Sequence, residues 1–399
     1  MTPRVAFVNG GILGLTSYAD WARRTFAGGG DIHAEHFVLS EDLPLSERVV
    51  RRILCQRLWP DLPGSRNLDL ARFRREMNAG LQARRRLLAR GIEHFDVLHF
   101  HRQATAYASL DLMAQVPSIV SVDCTQTCVL QDATSAVERW SLQFNVRRDG
   151  EILKRAAAIV STSRWTEQDV RRLYPDCRAP IHVMPNPVQV DLFDPRWIEE
   201  RRARTARPQC LFMGGDFPRK GGPDLLEAWV RGEFSRRADL TVVTGWKLPS
   251  PLPPGVRVVT GIRAHTPAWI DACRAADLFV MPTRNEAFGL VYQEAGAAGL
   301  PAIGSRLNAV PEIIDDGRTG LLVTPGNIVE LTAALDRLIS SVSLREQMGR
   351  AARAKVEQDA NPDAHRARLM ELIAQVADRG SGIEDRGSRI RDKGLGSRD

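Results

Sequence analysis

Apolar residues along the chain gather in short runs separated by stretches with helical period. Val5 to Val8 reads as a buried strand, followed by the loop Asn9-Gly10-Gly11-Ile12-Leu13-Gly14 and a helix through Trp21 to Phe26. Ile32 to Val38 is a second strand, and residues 68 to 90 carry a long arginine-rich helical pattern. Asp96 to His101 is a strand ending in polar residues, and Ile119 to Val122 is another, running into Asp123. Ala158 to Val160 and Ile181 to Met184 complete the series. Strand-length runs alternating with helices predict a parallel sheet covered on both faces.

The pattern breaks at Pro185-Asn186-Pro187 and Asp194-Pro195, where proline stops regular structure. A second strand-helix series starts at Cys210 to Met213 and continues through Leu240 to Val243, Val256 to Val259, Leu278 to Met281, Pro301 to Ile303 and Gly320 to Val323. Residues 327 to 340, 343 to 357 and 363 to 377 have helical period. The expected organisation is an α/β chain of two doubly wound domains facing across a cleft. They cover residues 1–190 and 208–361, with a charged linker over 191–207. A helix over 362–378 is expected to cross back to the first domain, and 379–399, poor in apolar residues, to be disordered. Ligands of such sheets bind outside the carboxyl ends of the strands, so the chemistry is expected in the loops that follow them.

Two loops stand out. Gly214-Gly215-Asp216-Phe217-Pro218-Arg219-Lys220-Gly221-Gly222 follows the strand ending at Met213. Glycines allow close backbone approach, Arg219 and Lys220 supply positive charge, and a helix begins near Pro223, a combination that suits a diphosphate. The bland alternative is a glycine turn with two exposed bases. The second loop, Arg284-Asn285-Glu286, leads through Phe288-Gly289-Leu290 into a helix bearing Glu294. Backbone N–H groups at that helix start face outward, and a carboxylate at 294 can accept both hydroxyls of a ribose. Here the alternative is a helix-cap acid followed by a solvated one.

Taken together, the region from 211 to 340 resembles the C-terminal domain of retaining glycosyltransferase family 4, the glycosyl transferases group 1. The resemblance rests on Glu286-Ala287-Phe288-Gly289-Leu290 through Glu294, then Gly299-Leu300-Pro301, Pro311-Glu312-Ile313-Ile314, Asp316-Gly317 and Thr319-Gly320-Leu321-Leu322-Val323. Upstream, Lys220-Gly221 and Ala276-Asp277-Leu278-Phe279-Val280-Met281-Pro282 also match. It implies the GT-B fold, with two Rossmann-like domains, and transfer of a sugar from a nucleotide diphosphate sugar to an acceptor hydroxyl. The positive charge of Arg219 and Lys220 makes a divalent metal dispensable and the chain offers no Asp-x-Asp motif, so no metal or other cofactor is expected. By the same resemblance, Glu294 binds the nucleotide ribose, Glu286 contacts the donor sugar and Arg219 with Lys220 holds the diphosphate. Gly215, Phe288, Gly289, Leu290 and the base-side Arg263 join the donor site.

The first half resembles the family more loosely, through the strand ending in His99-Phe100-His101, through Ser163-Arg164-Trp165, and through Met184-Pro185-Asn186-Pro187-Val188. Gly10 and Gly11 resemble the glycine loop that admits donor phosphate and acceptor. His99 and His101 share one face of a strand and are candidate acceptor contacts, against the plainer reading of a polar strand end. Three departures are visible. Asp123 stands where many members carry a histidine, Gly214-Gly215 replaces the usual Gly-Arg, and Asn308-Ala309 replaces a glycine pair. These departures keep a non-catalytic sugar-nucleotide-binding subunit in view, and the shared fold keeps in view another GT-B enzyme such as an epimerase.

Composition narrows the setting. The chain has 399 residues, 43% hydrophobic and 26% charged, the balance of an ordinary globular protein. No run of about 18 apolar residues occurs, and the first apolar run is too short for a signal peptide. The six cysteines are scattered apart from Cys124 and Cys128, a pair too few for a zinc site and consistent with free thiols in a reducing compartment. The net charge is +7, with arginines concentrated in the first half. Solvated helix faces are the ordinary explanation. The sharper one is attraction to an anionic surface, either a lipid headgroup layer, as in peripheral contact with an anionic membrane, or a phosphorylated acceptor. The expected location is cytoplasmic, with the inner membrane face as its candidate peripheral site. No nucleic-acid-binding signature accompanies these arginines.

Overall fold

The computed structural model describes residues 2–10, 16–28, 30–39, 49, 70–133, 135–203, 207–248 and 250–392. It divides into two compact units, one of Met1–Met184 with Asp363–Asp399 and one of Pro185–Pro362.

The first unit holds a six-stranded parallel sheet in the order β2-β1-β3-β4-β5-β6. Its strands are β1 Arg4–Asn9, β2 His33–Val38, β3 Val97–His101, β4 Ser118–Val122, β5 Ala158–Ser161 and β6 Ile181–Val183. Its helices are α1 Thr16–Thr25, α2 Ala71–Arg90, α3 Ala136–Arg155 and α4 Arg164–Leu173. Both faces of the sheet are covered, which explains the unbroken apolar runs. Ala6, Val8, Leu98, Phe100 and Val120 pack with Ala83 and Leu87 of α2 and Ile152 and Leu153 of α3. Val5, Phe7, Val97 and Ile119, on the opposite face, pack with Tyr18 and Trp21 of α1. They also pack with Leu369, Leu372, Ile373 and Val376. Those four residues belong to the last helix, so this segment is an integral part of the first unit's core. Each fully buried Leu or Ile there is worth about 1.5–3 kcal/mol.

The second unit has its own six-stranded parallel sheet, in the order β12-β11-β10-β7-β8-β9. These strands are β7 Gln209–Met213, β8 Asp239–Val243, β9 Val256–Val259, β10 Leu278–Val280, β11 Ala302–Ser305 and β12 Gly320–Val323. Its longer helices are α5 Trp197–Ala203, α6 Gly222–Arg231, α7 Pro267–Ala275, α8 Leu290–Ala297, α9 Ile328–Ser340 and α10 Val342–Asp359. The final helix, α11 Pro362–Asp392, belongs from Asp363 onward to the first unit.

Two boundaries differ from the sequence reading. The stretch over 191–207 contains α5, and Phe193, Trp197 and Ile198 are buried in the second unit. Charge in Glu199–Arg207 hides an apolar stripe too short to stand out by period. Arg201 fixes that helix, donating through Nη1 to the Ala298 carbonyl at 2.8 Å and through Nη2 to the Cys273 carbonyl at 3.0 Å. Arg353 donates from the other side to the carbonyls of Phe193 and Ala297. The two guanidinium groups thus satisfy the C-terminal carbonyls of α8 and oppose its negative dipole end. At the chain's end, α11 runs to Asp392 where composition predicts disorder. Once its packed first half is nucleated, elongation needs only one residue to be fixed per hydrogen bond gained.

Candidate active site

The second sheet reverses its direction of growth between β10 and β7, which pair directly through Leu278 with Cys210 and Phe279 with Leu211. Loops leaving the carboxyl ends of these two strands flank the switch point of a doubly wound sheet, the usual place for a ligand. Those loops are the two that the sequence singles out.

They are joined to each other. Arg284 donates its N–H to the Arg219 carbonyl at 2.9 Å, and the Arg219 guanidinium returns a bond to the Asn285 carbonyl at 2.8 Å. Gly221, at φ +76°, sits so close that an added Cβ would lie 1.8 Å from the Pro282 carbonyl oxygen. Arg284 also grips Asp224, in the first turn of α6, with paired bonds of 2.8 and 2.6 Å. The result is a rigid frame for three predicted site residues, Arg219, Lys220 and Glu286.

Lys220 and Glu286 form an ion pair between Nζ and Oε2, with both side chains largely buried. Arg219 is paired as well, through Nε to Asp216 Oδ2 at 3.0 Å. Both bases therefore carry internal counter-charges, and the site is close to neutral rather than strongly electropositive. A diphosphate arriving there would share the two bases with Asp216 and Glu286. Asn308, one of the sequence departures, has a structural role. It occupies the left-handed region at φ +46°, which Asn tolerates, and its Nδ2 donates to the Glu286 carbonyl at 2.7 Å.

Gly289 caps α8 at φ +95° with no side-chain cap bond, leaving the first N–H groups of the helix open. Tyr292 anchors the first turn by donating its hydroxyl to the Met281 carbonyl at 2.5 Å. Phe288 is buried, so it supports the turn from within, while Leu290 is half-buried. Glu294 points back from α8 and is 7% exposed. Its Oε1 lies 2.8 Å from His265 Nε2, a residue of the loop after β9 that the sequence reading passed over. Arg263, in the same loop, has an exposed side chain, and its carbonyl accepts from Thr266 Oγ1 at 2.7 Å. Gly215 is exposed, lacks a left-handed φ, and has open space around a notional Cβ, so nothing in the backbone demands glycine there.

In the first unit the switch point falls between β1 and β3, where Asn9 is in register with His101. Gly10 is buried beside it, and Gly11 lies outside the described residues. Asn9 is fully buried with neither side-chain atom bonded. The predicted histidine pair behaves differently from its assignment as acceptor contacts. His99 is fully buried, bonded through Nε2 to Ser121 Oγ at 2.8 Å and set edge-on to Phe7. Burial pulls its pKa down to about 3 and His101 well below the usual range, so both are neutral core rings. His101, 4% exposed, stacks on Tyr18 with centroids 3.8 Å apart. A strand ending His-x-His looks polar in sequence, but its face is covered by α1 and α11, and the rings of Phe7 in β1 and Tyr18 in α1 pack against the histidines.

Asp123, half-buried after β4, accepts the Cys124 N–H at 2.9 Å through Oδ1, and its carbonyl accepts from Thr166 Oγ1 at 2.9 Å. Nearby lies a buried polar network that no motif announced. Asn145 donates to Glu76 at 2.6 Å, the Tyr107 hydroxyl donates to Asp149 at 2.8 Å, and Gln126 donates to the other Asp149 oxygen at 2.8 Å. Burial, then the neighbouring Glu76, pushes the Asp149 carboxyl up to about 7. The arginines of α2 are mostly tied within the unit. Arg90 pairs with Glu35 at 2.7 Å, Arg72 with Glu76 at 3.2 Å, and Arg84 bonds Asp111 through Nη2 at 2.8 Å. No group of three metal-ligating side chains occurs among the described residues, and no described helix is long and apolar enough to cross a membrane.

Comparison with known proteins gives a consistent picture. The model described as Glycosyltransferase Family 4 matches residues 33–192, and the one described as Glycosyl transferases group 1 matches residues 263–355. An MMP alpha-(1->4)-mannosyltransferase of Mycolicibacterium hassiacum is 31% identical over 54% of this chain and 54% of its own length. A D-inositol 3-phosphate glycosyltransferase of Paenarthrobacter aurescens is 26% identical over 66% of this chain and 69% of its own. The aligned stretch is thus only part of these relatives, about half of the mannosyltransferase. Among solved structures, sucrose-phosphate synthase from Thermosynechococcus elongatus superposes with a TM-score of 0.72 at 18% identity, covering 94% of this chain and 99% of that one. Anabaena HepE in complex with UDP-glucose gives 0.64 at 16% identity, covering 94% and 100%. At such identities the likeness establishes the GT-B fold and no more.

Proposed function

The chain belongs to glycosyltransferase family 4, and on that premise we propose that it moves a sugar from a nucleotide diphosphate sugar to an acceptor hydroxyl, with retention of configuration, in glycan, polysaccharide or glycolipid synthesis. The observation that carries this reading is the frame at the second switch point, where Lys220, Glu286 and the open start of α8 converge. In the proposed step the bond from the anomeric carbon to the diphosphate oxygen breaks, and its electron pair leaves with the diphosphate. The acceptor oxygen bonds to the same face of the anomeric carbon, and its proton passes to the departing oxygen. Arg219, Lys220 and the helix N–H groups stabilise the growing negative charge, a role that preorganised donors fill without reorganising. Glu286, released from Lys220 as the diphosphate takes up that charge, would accept a donor-sugar hydroxyl, and Asp123 would face the acceptor side. These protein charges are proposed to serve in place of a divalent ion.

The test is steady-state turnover of wild type and Lys220→Ala in EDTA, over a panel of UDP-, GDP- and ADP-sugars. The expected result is turnover by wild type in EDTA and a loss of about a hundredfold or more in kcat for the variant, the scale of one electrostatic donor. Unchanged kcat in Lys220→Ala would remove the phosphate role. HepE, a GT-B protein solved with UDP-glucose, makes a UDP-sugar the first donor to try.

We further propose cytoplasmic placement with peripheral contact at an anionic membrane surface, but through a different face from the α2 arginines. Trp140 and Phe144 of α3 are 54% and 38% exposed and meet edge-on at 5.3 Å. Arg139 and Arg147 flank them on the same exposed stripe. Aromatic rings with free cations suit the headgroup layer of an anionic bilayer.

A further inference from the structure

His265 stands out among the residues no motif includes. It holds a left-handed backbone at φ +63°, a conformation L side chains seldom adopt and one that tends to persist where a site depends on it. The loop that imposes this shape is fixed on both sides of the residue. Thr266 bonds the Arg263 carbonyl through Oγ1 at 2.7 Å, and Trp269 sets its ring edge-on to the imidazole with centroids 5.2 Å apart. So held, the imidazole reaches from the loop after β9 to α8 and meets Glu294 Oε1 at 2.8 Å. Glu294 makes no other side-chain bond among the described residues, which leaves Oε2 and a second lone pair on Oε1 for an incoming ligand.

We propose that His265 is a positioning residue for Glu294, and that the pair confers selectivity for a ribonucleoside diphosphate over its 2′,3′-dideoxy form. This inference rests on the donor-site reading above. A carboxylate on a mobile side chain presents its lone pairs in many directions. One held by an imidazole N–H on a rigid loop presents them in one, and a vicinal diol needs two at once. His265 itself touches no ligand in this arrangement, and its contribution passes through the carboxylate.

The experiment is calorimetric titration of the full chain with UDP, GDP and ADP, then with the 2′,3′-dideoxy form of whichever binds. The proteins are wild type, His265→Ala, His265→Gln, Glu294→Gln and the His265→Ala/Glu294→Gln double variant. His265→Ala should weaken the ribonucleotide about tenfold, the worth of one hydrogen bond to a charged group, and leave the dideoxy form unchanged. Glutamine at 265 can donate in the same direction and should restore most of the loss. In the double variant the two effects should not add. Equal weakening of both nucleotides in His265→Ala would mark a merely structural role and overturn the proposal. Loss in Glu294→Gln with none in His265→Ala would also overturn it, while leaving the donor-site reading intact. Absence of any nucleoside diphosphate binding to wild type would overturn both.

Discussion

Gly221 and Gly215 belong to one loop, and the structure assigns them opposite tolerances. Gly221 caps the start of α6 at φ +76°, and a Cβ there would lie 1.8 Å from the Pro282 carbonyl oxygen. That oxygen is backbone, in the loop that carries Glu286, so it cannot swing aside as a side chain would. The left-handed conformation alone costs an alanine about 1–2 kcal/mol. Parting the two loops adds more, so Gly221→Ala should destabilise by about 3 kcal/mol or more, the range of steric strain at a special backbone position. In a unit of this size each kcal/mol is about 2–4 °C, so its unfolding transition should fall by about 6–12 °C. Gly215→Ala meets nothing within 4 Å and should stay within about 0.5 kcal/mol of wild type. Differential scanning calorimetry of both variants, with circular dichroism to check folding at low temperature, makes the comparison. Two variants of equal stability, or a larger loss in Gly215→Ala, would refute the reasoning that the β7 and β10 loops are locked by contact at Gly221.

Arg201→Ala should cost about 2–4 kcal/mol, since it leaves the carbonyls of Ala298 and Cys273 without their buried donor; an unshifted urea midpoint would contradict the capping role. His99 has its pKa depressed from 6.5 to about 3, so its stability contribution is present above the unfolded value of 6.5 and is lost as pH falls toward the folded one. At pH 5 that loss is about 2 kcal/mol, and His99→Gln should show a pH 7-to-5 loss smaller than wild type by that amount. The rise at Asp149, which has the opposite sign and favours low pH, is common to both proteins and cancels; identical pH slopes would refute the assignment. Trp140→Ala with Phe144→Ala should abolish co-flotation with vesicles containing about a third phosphatidylglycerol, while phosphatidylcholine vesicles should bind neither protein; undiminished flotation of the variant would exclude this face.

Most of the fold is legible because both sheets are buried on both faces. Val5 to Val8, Leu278 to Val280 and Gly320 to Val323 are unbroken apolar runs for that reason, and they fall in strands within a residue of the pattern. The two loops that meet at the second switch point are marked in the sequence by their glycines and charges. What sequence could not reveal is pairing across space. Lys220 and Glu286 are 66 residues apart and neutralise each other, which makes the Gly214–Gly222 loop far less positive than its composition implies. His265 and Glu294 are separated by 29 residues, and their contact follows from a backbone turn that no residue type announces. His99 and His101 show the converse. Their spacing is a real strand alternation, but the face it selects is closed by α1 and by a helix from the far end of the chain. The arginines of α2 are a further case, since counter-charges such as Glu35 and Asp111 lie in other segments.

The most direct test of the donor site is thermal unfolding of wild type and Glu294→Ala with UDP, GDP and ADP against the matching monophosphates. A ligand at about a hundred times its Kd stabilises the folded state by about 2.7 kcal/mol, or about 5–11 °C for a unit of this size. The account predicts that one diphosphate raises the wild-type transition by that amount, well beyond its monophosphate, and that Glu294→Ala loses the rise. A wild type indifferent to all three diphosphates, or a variant that keeps the full shift, would contradict it.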